Sequence, residues 1–172
     1  MKTTFSRRAA LAAGAALAAA VLAGCGTLEV SQADMVVQRA DPRSMVELTL
    51  SPAQVRIGQP VAMRVRAAQP GHLYVVQVGS EGRRMSLVYP NEAEPGNRLA
   101  APGAVVAIPG PGWALVSQGP AGVGYFVALV TAEAQDLPAF KAALAERRIE
   151  VRGSYGAAIA TLTEVANRGP AQ

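Results

Sequence analysis

The sequence predicts a mainly β protein: an immunoglobulin-like antiparallel β-sandwich with one amphipathic helix near its C-terminal end. Three observations predict it. From residue 45 to about residue 132, apolar residues recur with a period of two, in short runs rich in Val, Leu, Tyr and Phe. Clusters of Pro, Gly, Asn and Ser break these runs every 8 to 14 residues, which gives seven short strands. The spacing then changes to three and four over residues 136–148, where Leu137, Phe140 and Leu144 share a helical face.

The elements follow in order. "MVELTL" (45–50) sets Val46, Leu48 and Leu50 on one face, with Glu47 and Thr49 opposite. "SPAQVRIGQP" is rich in turn residues and reads as a connection. "VAMRVRA" (61–67) alternates cleanly, with Val61, Met63 and Val65 inward and Arg64 and Arg66 outward. "HLYVVQV" (72–78) is apolar on both parities, so it reads as a central strand. "GSEG" (79–82) is a hairpin turn and "RRMSLVY" (83–89) the returning strand. A long loop, 90–103, carries Pro, Gly and Asn. "AVVAIPG" (104–110) and "WALVSQ" (113–118) read as short strands on either side of a Pro-Gly turn. "VGYFVALVTA" (123–132) is the second central strand. Val76 and Val127, one on each central strand, are expected in the sandwich core.

Asp136 is placed to cap the helix, and Pro138 fits a first turn. Arg147 and Arg148 fall where the helix dipole favours cations. "IEVRG" (149–153) is expected to begin another strand. Residues 155–165 fit two readings. Ile159, Thr161, Thr163 and Val165 alternate like a strand, while the Ala and Leu content permits a helix; the strand is favoured. The sandwich is expected to span 45–166, with a tail over 167–172.

The strands carry an ordered set of motifs. "Gly71-His72-Leu73-Tyr74-Val75-Val76" is followed by "Gly79-Ser80-Glu81-Gly82", "Leu87-Val88-Tyr89-Pro90-Asn91", "Asn97-Arg98", "Ile108-Pro109" and "Gly119-Pro120-Ala121-Gly122". Over roughly residues 45–135 this series resembles the domain-of-unknown-function family 4384. Tyr89 stands where that family usually has Phe. The resemblance implies an exported or surface-associated β module, often attached to other domains, and supplies no catalytic residues.

The first 25 residues read differently. Lys2, Arg7 and Arg8 precede an uncharged run of Ala, Leu, Val and Gly over residues 9–24. That is the length of a secretory h-region and short for a bilayer span of about 20 residues. "Leu22-Ala23-Gly24-Cys25" resembles a bacterial lipobox at all four positions. Small residues let a signal peptidase draw the chain into its cleft, and the Cys25 thiol is the nucleophile that takes the lipid. Residues 1–24 are therefore expected to be a lipoprotein signal peptide, with Cys25 lipidated and 25–44 a tether. Val36–Val37 within the tether are a candidate short strand. "Ser6-Arg7-Arg8" partly resembles a twin-arginine signal, but the continuation departs from that pattern and favours Sec export. Gly26 follows the cysteine where an Asp would resemble an inner-membrane retention signal, and this favours the outer membrane.

Charge and cysteine usage narrow the function classes. The chain has 16 Lys and Arg against 12 Asp and Glu. Three of the basic residues lie in the leader, so the remainder is nearly neutral and gives no nucleic-acid footprint. Cys25 is the single cysteine, so no intramolecular disulfide forms and stability must come from burial.

The sequence offers no catalytic residue, no metal site and no cofactor motif. His72 is the sole histidine, at a strand start, and reads as structural. "GSEG" lacks the spacing of a nucleophile elbow. "Gly119-Pro120-Ala121-Gly122-Val123-Gly124" lacks the Lys-Ser/Thr of a phosphate loop. Glu92 and Glu94 are paired carboxylates on a Pro/Gly loop and read as solvated, because acid/base pairs need environments that split their pKa values. Asn91 and Asn97 add too few oxygens for calcium.

One loop remains as a candidate binding site: Tyr89, Asn91, Glu92, Asn97 and Arg98. Its structural reading has the Asn side chains capping turn backbone and Arg98 bracing the loop. Its functional reading is a recognition edge. Trp113 is read as core, with an exposed anchor as the alternative. The expected function is a non-enzymatic cell-envelope lipoprotein, anchored through its N-terminal lipid to the outer membrane, facing the periplasm and binding an envelope protein. The alternatives are an assembly component resembling small type VI secretion lipoproteins, and a hydrolase using the Glu92 loop.

Overall fold

The computed structural model describes residues 27–28, 45–151 and 154–167. The elements run β1 (Thr27–Leu28), β2 (Val46–Ser51), β3 (Gln54–Arg56), β4 (Pro60–Ala67), β5 (Gly71–Val78), β6 (Met85–Tyr89) and β7 (Arg98–Leu99). They continue with β8 (Val105–Ile108), β9 (Leu115–Val116), β10 (Gly122–Thr131), α1 (Leu137–Ala145), β11 (Ile149–Glu150) and β12 (Ser154–Val165). The leader, Cys25, Val36–Val37 and residues 168–172 lie outside the described residues.

Alternation builds the first sheet. In β4, Val61, Met63, Val65 and Ala67 are buried while Ala62, Arg64 and Arg66 are exposed. β2 pairs antiparallel with β4, setting Leu48 opposite Val65. On the other side of β4, β8 sets Val106 opposite Val65. β9 continues along that side, with Leu115 opposite Val61.

The second sheet has the order β3-β12-β10-β5-β6, and β7 also pairs with β5. The long central pairing puts Val127 opposite Val76 and Leu129 opposite Tyr74. β12 is the strand expected over 155–165. It pairs antiparallel with β10 from Gly122–Glu164 onward. Its other neighbour, β3, is parallel, so the sandwich is not wholly antiparallel. β3 lies inside the turn-rich stretch read as a connection: Val55 is buried there and holds the segment against the core.

Both faces of the second sheet are covered, which is why β5 and β10 are apolar on both parities. Leu73, Val75, Phe126, Ala128 and Val130 pack toward Val46, Val61, Met63 and Val65 of the first sheet. Tyr74, Val76, Val78, Val127 and Leu129 pack on the opposite face against Phe140, Leu144, Ile149 and Val151. Val76 and Val127 are thus fully buried, but under the helix rather than between the sheets. The pleat requires it: once Val75 faces the first sheet, Val76 must face away. Truncating either valine to Ala is expected to cost about 1–3 kcal/mol in urea denaturation, through lost burial and a residual cavity. Unchanged midpoints for both variants would contradict this packing.

The helix is shorter than the sequence spacing predicts. Asp136 caps it, its carboxylate accepting from the Ala139 amide at 3.1 Å, and Pro138 sits in the first turn. The helix ends at Ala145, so Arg147 and Arg148 lie beyond it instead of within its last turn. The Arg147 amide donates to Leu144 O and the Arg148 amide to Ala143 O, both at 2.9 Å. This is a Schellman closure with Arg147 at φ +63°, a conformation that usually goes to glycine. Arg148 pairs instead with Glu146 and Glu150. β11 is the short strand expected at "IEVRG". It pairs with Thr27–Leu28, inside the segment read as the tether.

Candidate functional site

Two edge strands on one side of the sandwich are each interrupted and then resumed. β6 stops at Tyr89, and the chain returns as β7 to the same side of β5, with Arg98 opposite His72. β8 stops at Ile108, and the chain returns as β9 to the same side of β4. Pro90 and Pro109 follow the two stops. Proline has no N–H to continue a ladder, so both edges must leave the sheet there. The excursions, residues 90–97 and 109–114, are the two parts of the candidate site. β7 falls inside the stretch read as one loop; it was missed because two residues are too few to show alternation.

Glu94 ties the excursions together. Its Oε2 accepts from the Trp113 indole N–H at 2.9 Å and from the Gly110 amide at 3.2 Å. A Cβ on Gly110 would stand 2.5 Å from that oxygen, so a side chain there would displace the carboxylate. Trp113 is half-buried and packs on the core between the sheets. The tryptophan is therefore core with its polar edge turned to Glu94. Glu94 is not the solvated loop carboxylate that composition implied.

The sequence-derived residues separate into two groups. Tyr89 is buried, and its hydroxyl donates to the Gly96 carbonyl. Burial pushes its phenol above the ordinary value, and the charge of Glu94 adds to this. The Asn91 side chain donates to Val88 O at 2.9 Å and accepts from the Glu94 amide at 2.9 Å. Asn97 donates to Leu73 O at 3.1 Å, and its Oδ1 lies 3.3 Å from His72 Nδ1. These three residues fold the loop against its own sheet. Glu92 and Arg98 are exposed, and neither side chain makes a hydrogen bond or ion pair with the described residues. Arg98 belongs to β7 and does not brace the loop as expected.

A second polar cluster was not legible. The Ser117 hydroxyl and the Gly119 amide donate to Glu164 Oε1, the latter at 3.1 Å. Ser117 and Glu164 are each 3% exposed. The signal lies in the even positions of β12: Ala158, Leu162 and Glu164 are the buried parity, whereas the expected alternation runs through the odd positions. Among the described residues, no group of three or more His, Cys, Asp or Glu is placed to hold a metal ion.

Residues 54–134 match the family model described as Domain of unknown function (DUF4384). The match runs from β3 past β10 and so contains both excursions, the Glu94 tie and Trp113. The sandwich domain resembles that family over this span. No curated protein and no solved structure matches the chain.

Proposed function

We infer that the chain is a non-enzymatic lipoprotein of the cell envelope, held at the outer membrane by acyl chains on Cys25, whose sandwich serves as a protein-interaction module facing the periplasm. The observation that carries this reading is the four-position lipobox "Leu22-Ala23-Gly24-Cys25" at the end of an uncharged run. Each buried methylene contributes about 0.8 kcal/mol and a single chain is marginal, so three acyl chains on one cysteine give stable anchoring. With Thr27–Leu28 paired to β11, acyl chains on Cys25 would hold that end of the domain close to the headgroups. The second support is what the polar side chains do. Tyr89, Asn91, Glu94, Asn97 and Glu164 are engaged in holding backbone and loops, and Glu92 and Arg98 are left for contact with a partner.

Two experiments test the two halves. The wild-type chain should incorporate an alkyne fatty acid in growing cells, and Cys25→Ser should not; labelling that persists in Cys25→Ser removes the anchor. Replacing Glu92 and Arg98 together with Ala should change folding stability by less than about 1 kcal/mol, because exposed charges contribute little. It should also reduce recovery of the native partner from crosslinked envelopes. Normal folding with undiminished recovery would make the excursion a structural connection and nothing more.

A further inference from the structure

The β8 edge and the outer face beside it carry features that the two excursions do not explain. The Ala67 amide donates to Ala104 O at 3.1 Å. Antiparallel ladders alternate, so Val65–Val106 and Met63–Ile108 are the bonded pairs that follow. Val105 and Ala107 therefore turn their N–H and C=O away from β4, toward the open edge. Among the described residues these groups have no partner. Val105 is 60% exposed, the most of any large apolar residue described. No charge occurs between Arg98 and Glu133, so the edge lacks the Lys or Glu that commonly protects one.

Among the described residues nothing packs on the adjoining outer face, since α1 packs on the other sheet. Arg64 stands there between Thr49 and Ala107. A trough of about 490 Å³ surrounds it, lined by Thr49, Ser51, Ala62, Ala107 and Pro109. Its neighbour Arg66 has Glu47 at 3.8 Å, but Arg64 has no ion pair among the described residues. Among the described residues the face is thus positive beside a neutral edge with unpaired backbone groups.

We propose that β8 accepts an extended peptide as an added strand, with an acidic side chain of that peptide seated over Arg64. A strand added to β8 lies roughly 10 Å from β4, two strand spacings away. Its residue opposite Ala107 stands on the same face as Arg64, with one methyl group between them. A Glu and an Arg side chain together span that gap. Main-chain bonds to Val105 and Ala107 supply binding, and the acidic position supplies selectivity. A second copy of β8 has no acid to offer, since residues 104–112 are uncharged, and would leave Arg64 without a partner. This deepens the interaction-module reading and rests on it for the sandwich, independently of the anchor and of Glu92 and Arg98.

The probe is a fluorescein-labelled peptide, Thr-Val-Glu-Val-Glu-Val-Glu-Val-Thr, with a Lys-for-Glu peptide as control. Each is titrated with the full chain in detergent micelles and read by anisotropy. The Glu peptide should bind with a sub-millimolar Kd and the Lys peptide should not. Arg64→Ser should weaken binding by about fivefold or more. Val105→Pro should also weaken it, because that N–H faces the open edge and an edge proline there leaves the β4 ladder intact. If Val105→Pro does not fold by circular dichroism, Arg64→Ser decides alone. Equal affinity in wild type and Arg64→Ser, or no binding up to about 1 mM, overturns the proposal. So does light scattering that finds a wild-type dimer made monomeric by Val105→Pro, because a second copy then occupies the edge. Failure here with reduced partner recovery in the Glu92/Arg98 variant would leave the interaction module standing and move its surface to the excursion.

Discussion

Glu164→Ala is expected to destabilise the sandwich by about 3 kcal/mol, although Glu164 touches no proposed binding surface. Ser117 follows β9 of the first sheet, and Glu164 lies in β12 of the second, so the bond between them spans the two layers. Gly119, at φ +70°, adds its amide to the same carboxylate oxygen. Removing the carboxylate leaves a buried hydroxyl and a backbone N–H without a partner. Losing the partner of the buried Ser117 hydroxyl costs about 1–3 kcal/mol, and the half-buried Gly119 amide adds to it. In a domain of this size that is a fall of roughly 6–12 °C in Tm. Glu164→Gln keeps an acceptor oxygen and should lose less. Ser117→Ala combined with Glu164→Ala should cost less than the sum of the two, since each removes the same contact. A urea midpoint for Glu164→Ala within about 0.5 kcal/mol of wild type would mean that the cluster does not hold the sheets together.

The difference between Val76 and Glu164 shows what could be read from the sequence. Long strands announce themselves: β4 alternates over eight residues, and β5 and β10 are apolar on both parities because both faces are covered. Burial of Val76 followed from that pattern, but which layer buries it did not, because both layers are equally apolar. The register of β10 against β12 settles such questions, and register depends on partners distant in sequence. β7, with two residues, carries too few positions to show a period, whereas β9 falls inside the strand expected over 113–118. Glu94 looked like half of a solvated pair because its partners, Trp113 and Gly110, lie 16 to 19 residues away on another excursion. Asn91 was read correctly as a turn cap because its contacts are local, three residues to either side. Local hydrogen-bond chemistry was visible in one sequence, and contacts between sheets were not.

Phe140→Ala carries the other large expected effect and tests the helix layer. Phe140 is 3% exposed, and its ring meets Tyr74 edge-on, with centroids 5.5 Å apart and planes at 75°. Tyr74 is held in turn, its hydroxyl accepting from the Gln135 amide at 2.8 Å just before the helix begins. With nine residues, α1 is too short to persist in water unaided, so its order comes from the face it buries. That face is Phe140, Ala143 and Leu144. Deleting the ring opens a cavity over Val76 and Val127, and truncations of this kind cost about 3–5 kcal/mol. Ala139→Gly on the exposed side of the same helix should cost only about 1 kcal/mol, through propensity alone. Comparing the two separates loss of packing from loss of helicity. Hydrogen exchange adds the location: in Phe140→Ala, protection should fall first in residues 137–145 and survive longest in β4 and β10, whose inner faces pack between the sheets. If Phe140→Ala costs no more than Ala139→Gly and the helix amides stay protected, the helix is an appendage to the sandwich, and the apolar outer faces of β5 and β10 must be covered by something else.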